Sequence, residues 1–100
     1  MTLEEVTKKI EENAQKVDGI EATVKFVLDS GTVYVDGNGS HNTVTNDSKE
    51  ADCEVEVSTE NLEAMIKGEL NPMMAFMNQQ MKIDGDMTVA MKLASLFAEE

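Results

Sequence analysis

The sequence predicts an α+β domain, and three patterns predict it. Apolar residues recur every three or four positions at the start of the chain, alternate strictly through the middle, and return to helical spacing after residue 58. At 100 residues the chain can build one modest hydrophobic core but not two, so residues 1 to 100 are read as a single domain.

Thr2 and Glu5 have capping-box spacing, and Leu3, Val6, Ile10, Ala14 and Val17 follow at helical intervals until Gly19 ends the pattern. That is an amphipathic first helix. Ala22, Val24, Phe26 and Leu28 then alternate with Thr23, Lys25, Val27 and Asp29, and after "DSGT" a second run sets Val33 and Val35 on one face. These runs form a hairpin. "DGNGS" is a turn and "HNTVTN" a short third strand. "ADCEVEVS" alternates cleanly, with Ala51, Cys53, Val55 and Val57 inward and Asp52, Glu54 and Glu56 outward, so the sheet is read as antiparallel with one wet face. In "STENLEAMIKGEL" Ser58 or Thr59 can cap a helix that buries Leu62, Met65 and Ile66 and weakens at Gly68. The only proline, Pro72, suits the first turn of the short helix "PMMAFMNQQ", where its missing N–H has no partner to lose. "MKIDG" reads as one more strand.

From Met87 to Glu100 the polar positions Thr88, Lys92, Ser95 and Glu99 form one narrow seam, with Glu100 closing the segment. The remainder is apolar over far more than the roughly 100° stripe of an ordinary surface helix, so this helix has to be covered on more than one side.

Composition excludes several function classes. Twenty acidic residues face eight basic ones, all lysine, for a net charge of −12. Such a surface repels phosphate backbones, and without arginine it has no bidentate phosphate fork, so nucleic acid is excluded as a partner. Residues 1 to 60 carry fourteen acids and five lysines, and residues 61 to 100 carry six and three. The less charged end is therefore the more apolar one. No apolar run approaches the roughly 18 residues of a membrane span and no signal sequence opens the chain, so the expectation is a cytoplasmic protein without stable membrane insertion. A single cysteine, Cys53, fits a reducing compartment.

Seven of the eight methionines lie between Met65 and Met91. Methionine is unbranched and repacks easily, which suits a surface that accepts apolar partners of different shapes as well as it suits an irregular core. An empty rigid pocket of about 300 Å³ would cost roughly 7 kcal/mol, against the roughly 5 to 15 kcal/mol a whole domain has. A pocket built of methionine is therefore expected to collapse on itself or to stay filled.

Other constellations fare less well. "DGNGSHNTVTND", Asp36 to Asp47, places oxygen ligands at several calcium-loop positions, but its sixth position is His41 where a sharp turn needs glycine, and strands flank it in place of helices. His41 is expected in a solvated turn and Cys53 on the inner face of a strand, so they form no nucleophile and base. Glu54 and Glu56 lie on a wet strand face, and a general-acid role would need a pocket around them. The chain is read as a non-enzyme with no cofactor and no metal.

Residues 51 to 96 closely resemble the sterol carrier protein 2 family of lipid-transfer domains. The landmarks are "ADC" at 51 to 53, "GELNP" at 68 to 72, "AF" at 75 to 76, "KI" at 82 to 83, "G" at 85 and "AMKL" at 90 to 93. The first fifty residues agree in layout only. The resemblance implies a five-stranded mostly antiparallel sheet with helices on one side, enclosing an apolar tunnel for a fatty acid, acyl-CoA or sterol-like lipid. It makes Phe76, Met77, Met81, Ile83, Met87 and Met91 the expected lining, with Met65 from the preceding helix. Two departures stand out: the family's usual "FFQGK" is "FMNQQ" at residues 76 to 80, and the chain ends "FAEE" without a peroxisomal tripeptide. A free-standing bacterial or archaeal member is the expected setting. The second reading is an accessory or dimerisation module, in which the apolar face of residues 87 to 98 buries against a protein partner or a second copy.

Overall fold

The computed structural model describes residues 2–16, 21–39, 41–85 and 88–89, and every element expected within them forms. The chain runs α1 (Leu3–Ala14), β1 (Thr23–Leu28), β2 (Gly31–Asp36), β3 (Thr43–Thr45), β4 (Cys53–Val57), α2 (Thr59–Ile66), α3 (Pro72–Met77) and β5 (Met81–Gly85). Apart from Thr88 and Val89, the expected C-terminal helix lies outside the described residues. Met87, Met91 and the apolar face assigned to a protein partner or self-association lie there with it.

Local chemistry starts each helix. Thr2 and Glu5 close a reciprocal capping box on α1, with Thr2 N–H donating to Glu5 Oε1 at 3.0 Å and Glu5 N–H to Thr2 Oγ1 at 3.2 Å. Hydrogen bonding from Thr2, its backbone N–H first and its side chain second, holds the Glu5 carboxyl below the usual carboxylate range, because such donors favour the ionised form. Ser58 caps α2 by accepting from Asn61 N–H at 3.1 Å. Asp29, in the turn between β1 and β2, reinforces the same helix start. Its Oδ1 accepts from the Thr59 hydroxyl at 2.6 Å and the Thr59 amide at 2.7 Å, which lowers its pKa.

The five strands form one sheet in the order β3-β2-β1-β4-β5. Three of the four pairings are antiparallel and β1 and β4 run parallel, so the sheet is mostly antiparallel, as the family resemblance implies, and the alternation alone misses the one parallel pair. The reason is the route taken by residues 46 to 52. The chain leaves β3 at one edge and returns across the sheet to enter β4 beside the start of β1, where Thr23 and Asp52 exchange side-chain-to-backbone bonds of 3.1 and 2.9 Å. Alternation specifies which face a residue occupies and says nothing about strand direction.

On the inner face Phe26 pairs with Val33 on one side and Val55 on the other, and Val55 with Ile83. The buried residues of α1 and α2, among them Val6, Ile10, Leu62, Met65 and Ile66, pack onto this face in one continuous core. The outer face is less wet than its alternation suggests. Tyr34 is 7% exposed beneath the returning loop, its hydroxyl donating to the Glu50 carbonyl at 3.3 Å and its ring lying 5.7 Å below the Lys49 ammonium.

The segment Asp36 to Asp47, weighed above as a calcium loop, is a strand hairpin in which Asp36 pairs with Thr43 and spends its Oδ1 on the Asn38 amide at 3.1 Å. Cys53 is fully buried on the inner face and His41 is exposed. Among the described residues no helix is long and apolar enough to cross a membrane.

Candidate functional site

The β5 strand forms one edge of the sheet, and α3 packs beside it. Pro72 opens α3, and Asn71 caps it by accepting from the Met73 amide at 2.8 Å. At its far end the Gln79 amide donates to the Phe76 carbonyl at 3.2 Å and the Gln80 amide to the Ala75 carbonyl at 2.8 Å. This is a Schellman closure, and it forces Gln79 to a left-handed φ of 61°. The helix α2 ends in the same way, with Gly68 at φ 77°.

The contrast gives the first departure from the family pattern a physical meaning. In "FMNQQ" the position of the pattern's glycine is Gln79, the one residue of the turn that a side chain strains. Gln79→Gly is expected to raise stability by about 0.5 to 1 kcal/mol, the left-handed strain relieved exceeding the flexibility glycine adds to the unfolded chain. A thermal melt checks it, and a lower midpoint would mean that the glutamine side chain contributes contacts worth more than the strain.

Between α3 and the β4–β5 edge lies an open cleft of about 570 Å³, within the roughly 300 to 1,000 Å³ of small-molecule sites. Its apolar wall is Phe76, Met81 and Ile83. Its polar wall is Glu54, Glu56, Lys82 and Asp84, with Gln79 at the junction with α3. Both walls follow from the register: Met81 and Ile83 pair with Val57 and Val55 of the inner face, and Lys82 and Asp84 with Glu56 and Glu54 of the outer face. At a free edge the two faces meet. A second cleft of about 390 Å³ shares Glu56, Gln79, Met81 and Lys82, so the space continues around Met81 toward the β1–β2 turn.

Three carboxylates and one ammonium line the larger cleft. Glu54 and Asp84 stand directly opposite each other, and the repulsion is relieved by Lys25, whose Nζ lies 3.0 Å from Glu54 Oε1. A cleft with this charge attracts no polyphosphate.

The structure divides the residues expected to line a ligand site. Phe76, Met81 and Ile83 come together in the cleft. Met65 does not join them, because it lies on the buried stripe of α2 and is 2% exposed. Met77 is 69% exposed and lines neither cleft, since Ala75 is the α3 residue that faces the core. The alternation in "CEVEV" and "MKIDG" shows that Glu54, Glu56, Lys82 and Asp84 share a face only once β4 and β5 are known to pair.

A family model described as the SCP-2 sterol transfer family matches residues 3–98. Sterol carrier protein 2 of Oryctolagus cuniculus is 35% identical over 96% of this chain, and that of Homo sapiens 34% identical over the same share. The chain belongs to the SCP-2 sterol transfer family. It spans 19% of the length of these curated relatives, about a fifth. Hydroxysteroid dehydrogenase-like protein 2 of Homo sapiens is 32% identical over 92% of this chain, which aligns with 24% of that protein. Among solved structures, sterol carrier protein domain 2 of Helicoverpa armigera superposes with a TM-score of 0.75 at 25% identity, over 93% of this chain and 83% of that one. Palmitated SCP2L2 from Aedes aegypti does so with a TM-score of 0.75 at 20% identity, over 99% and 96%, and shares the fold.

Proposed function

We propose that this chain binds a lipid without transforming it and carries it between donor and acceptor surfaces in the cytoplasm. The observation that carries the reading is the cleft at the β5 edge, where Phe76, Met81 and Ile83 offer an apolar wall beside the methionine-rich helix α3. Family membership supports it, and the Aedes aegypti SCP2L2 that shares the fold is palmitated. The whole chain is taken as one carrier domain. Phe76, Met81 and Ile83 are assigned to the ligand's hydrocarbon, each buried methylene of which contributes roughly 0.8 kcal/mol before the ordering of the ligand is subtracted.

The charge of the cleft selects among headgroups. With three carboxylates, one lysine and no arginine in the chain, a free fatty acid or a neutral lipid is expected to bind better than acyl-CoA, whose phosphates would meet repulsion. Thermal melts of delipidated protein with palmitate, oleoyl-CoA and a sterol test both statements. A ligand at a hundredfold excess over its Kd adds about 2.7 kcal/mol, a rise of roughly 10 to 20 °C for a domain of this size. No rise with any of them would overturn the lipid reading, and a larger rise with oleoyl-CoA would overturn the headgroup preference.

A further inference from the structure

The helix α3 carries an apolar surface of which the cleft uses only Phe76. Met73, Met74, Phe76 and Met77 are 66%, 51%, 38% and 69% exposed, while Ala75 between them is fully buried. At 100° per residue these four side chains fan over about 160° of the helix, with Ala75 on the opposite side. One small residue anchors the helix, Met73, Met74 and Met77 point away from the protein, and Phe76 sits between that face and the cleft. Isolated exposed apolar residues are ordinary, but four on six consecutive positions mark a contact surface.

Charge says what that surface meets. Residues 70 to 81 contain no ionisable side chain, the longest such run in a chain of net charge −12, and Glu69 and Lys82 bound it. A basic or acidic partner would find nothing to pair with along this run. A second copy of the chain is a poor occupant on size, because a six-residue helix is about 9 Å long and a stable protein interface takes about 800 Å² from each partner. A fluid apolar phase has no such requirement, since it conforms to whatever protrudes into it.

We propose that the outward face of α3 is a membrane-docking surface, with Met73, Met74, Phe76 and Met77 entering the interfacial layer of an uncharged bilayer. Unbranched methionines adapt to the disorder of that layer. The remaining acidic surface opposes anionic lipid, so docking is shallow and reversible and favours zwitterionic membranes. Phe76 belongs both to this face and to the cleft wall, which places the docked surface at the cleft mouth. The inference goes beyond ligand binding, and Met73, Met74 and Met77 lie outside the cleft lining.

The chain has no tryptophan, so Met74→Trp supplies a single fluorescent reporter. Its emission is expected to shift to the blue with phosphatidylcholine vesicles and less when phosphatidylserine is added, with salt restoring part of the loss by screening. Adding Met73→Gln or Met77→Gln is expected to lower vesicle partitioning roughly tenfold each, while the palmitate-induced rise in melting temperature stays as in the parent. That pairing separates loss of docking from loss of lipid binding. Unmoved emission at saturating phosphatidylcholine, in folded protein, would overturn the proposal. So would a blue shift that needs no vesicles and grows with protein concentration, which would assign the face to a second copy.

Discussion

Phe26→Ala is expected to lose about 3 to 5 kcal/mol of folding stability, a large share of the roughly 5 to 15 kcal/mol a domain has. Phe26 is fully buried at the centre of β1, the middle strand of five, between Val33 and Val55. Its removal leaves a cavity between two strands whose backbones are held by ladders on both sides, so the gap cannot close by collapse. A urea titration checks the loss: the midpoint falls while the slope stays constant, because the surface exposed on unfolding is nearly unchanged. Phe26→Leu, which retains most of the volume, is expected to lose less than about 1.5 kcal/mol. Equal losses for the two variants would show that ring volume is not what this position contributes.

Gly85→Ala should cost about 2 to 4 kcal/mol, and its effect should concentrate at the β5 edge that carries the candidate cleft. Gly85 ends β5 opposite Cys53 with φ 119°, a conformation that side chains rarely adopt. A Cβ there would press into the Asp52 carbonyl oxygen and lie 3.0 Å from Cys53 Cα. Both are backbone atoms and neither can step aside, so β5 has to move. The amides of Met81–Gly85 should then exchange faster than those of β1 and β4, and palmitate binding should weaken along with the strand that carries Met81 and Ile83. A variant with parental stability and a protected β5 would contradict this account.

Most of the fold was legible because its signals are local. The capping box of Thr2 and Glu5, the proline at the start of α3 and the period-two runs of β1 and β4 each depend on a few neighbouring side chains, and all appear where the sequence places them. The parallel pairing of β1 with β4 was not legible, since it depends on where residues 46 to 52 carry the chain. The burial of Tyr34 escaped for the same reason: the loop that covers it arrives from a distant strand edge.

The site divides along the same line. Its region could be read from composition, because methionine gathers between residues 65 and 91 and charge is absent from 70 to 81. The sequence by itself thus determined an acidic α+β chain with one apolar, adaptable segment in its second half. Which methionine lines the cleft, which fills the core and which faces outward was decided only by the tertiary structure. Met81 is held at the sheet edge by pairing with Val57, Met65 is held inward by α2, and Met77 is turned outward because Ala75 takes the only side of α3 that meets the core. Methionine has no strong preference among these environments, so its position in the fold, and not its chemistry, assigns its role.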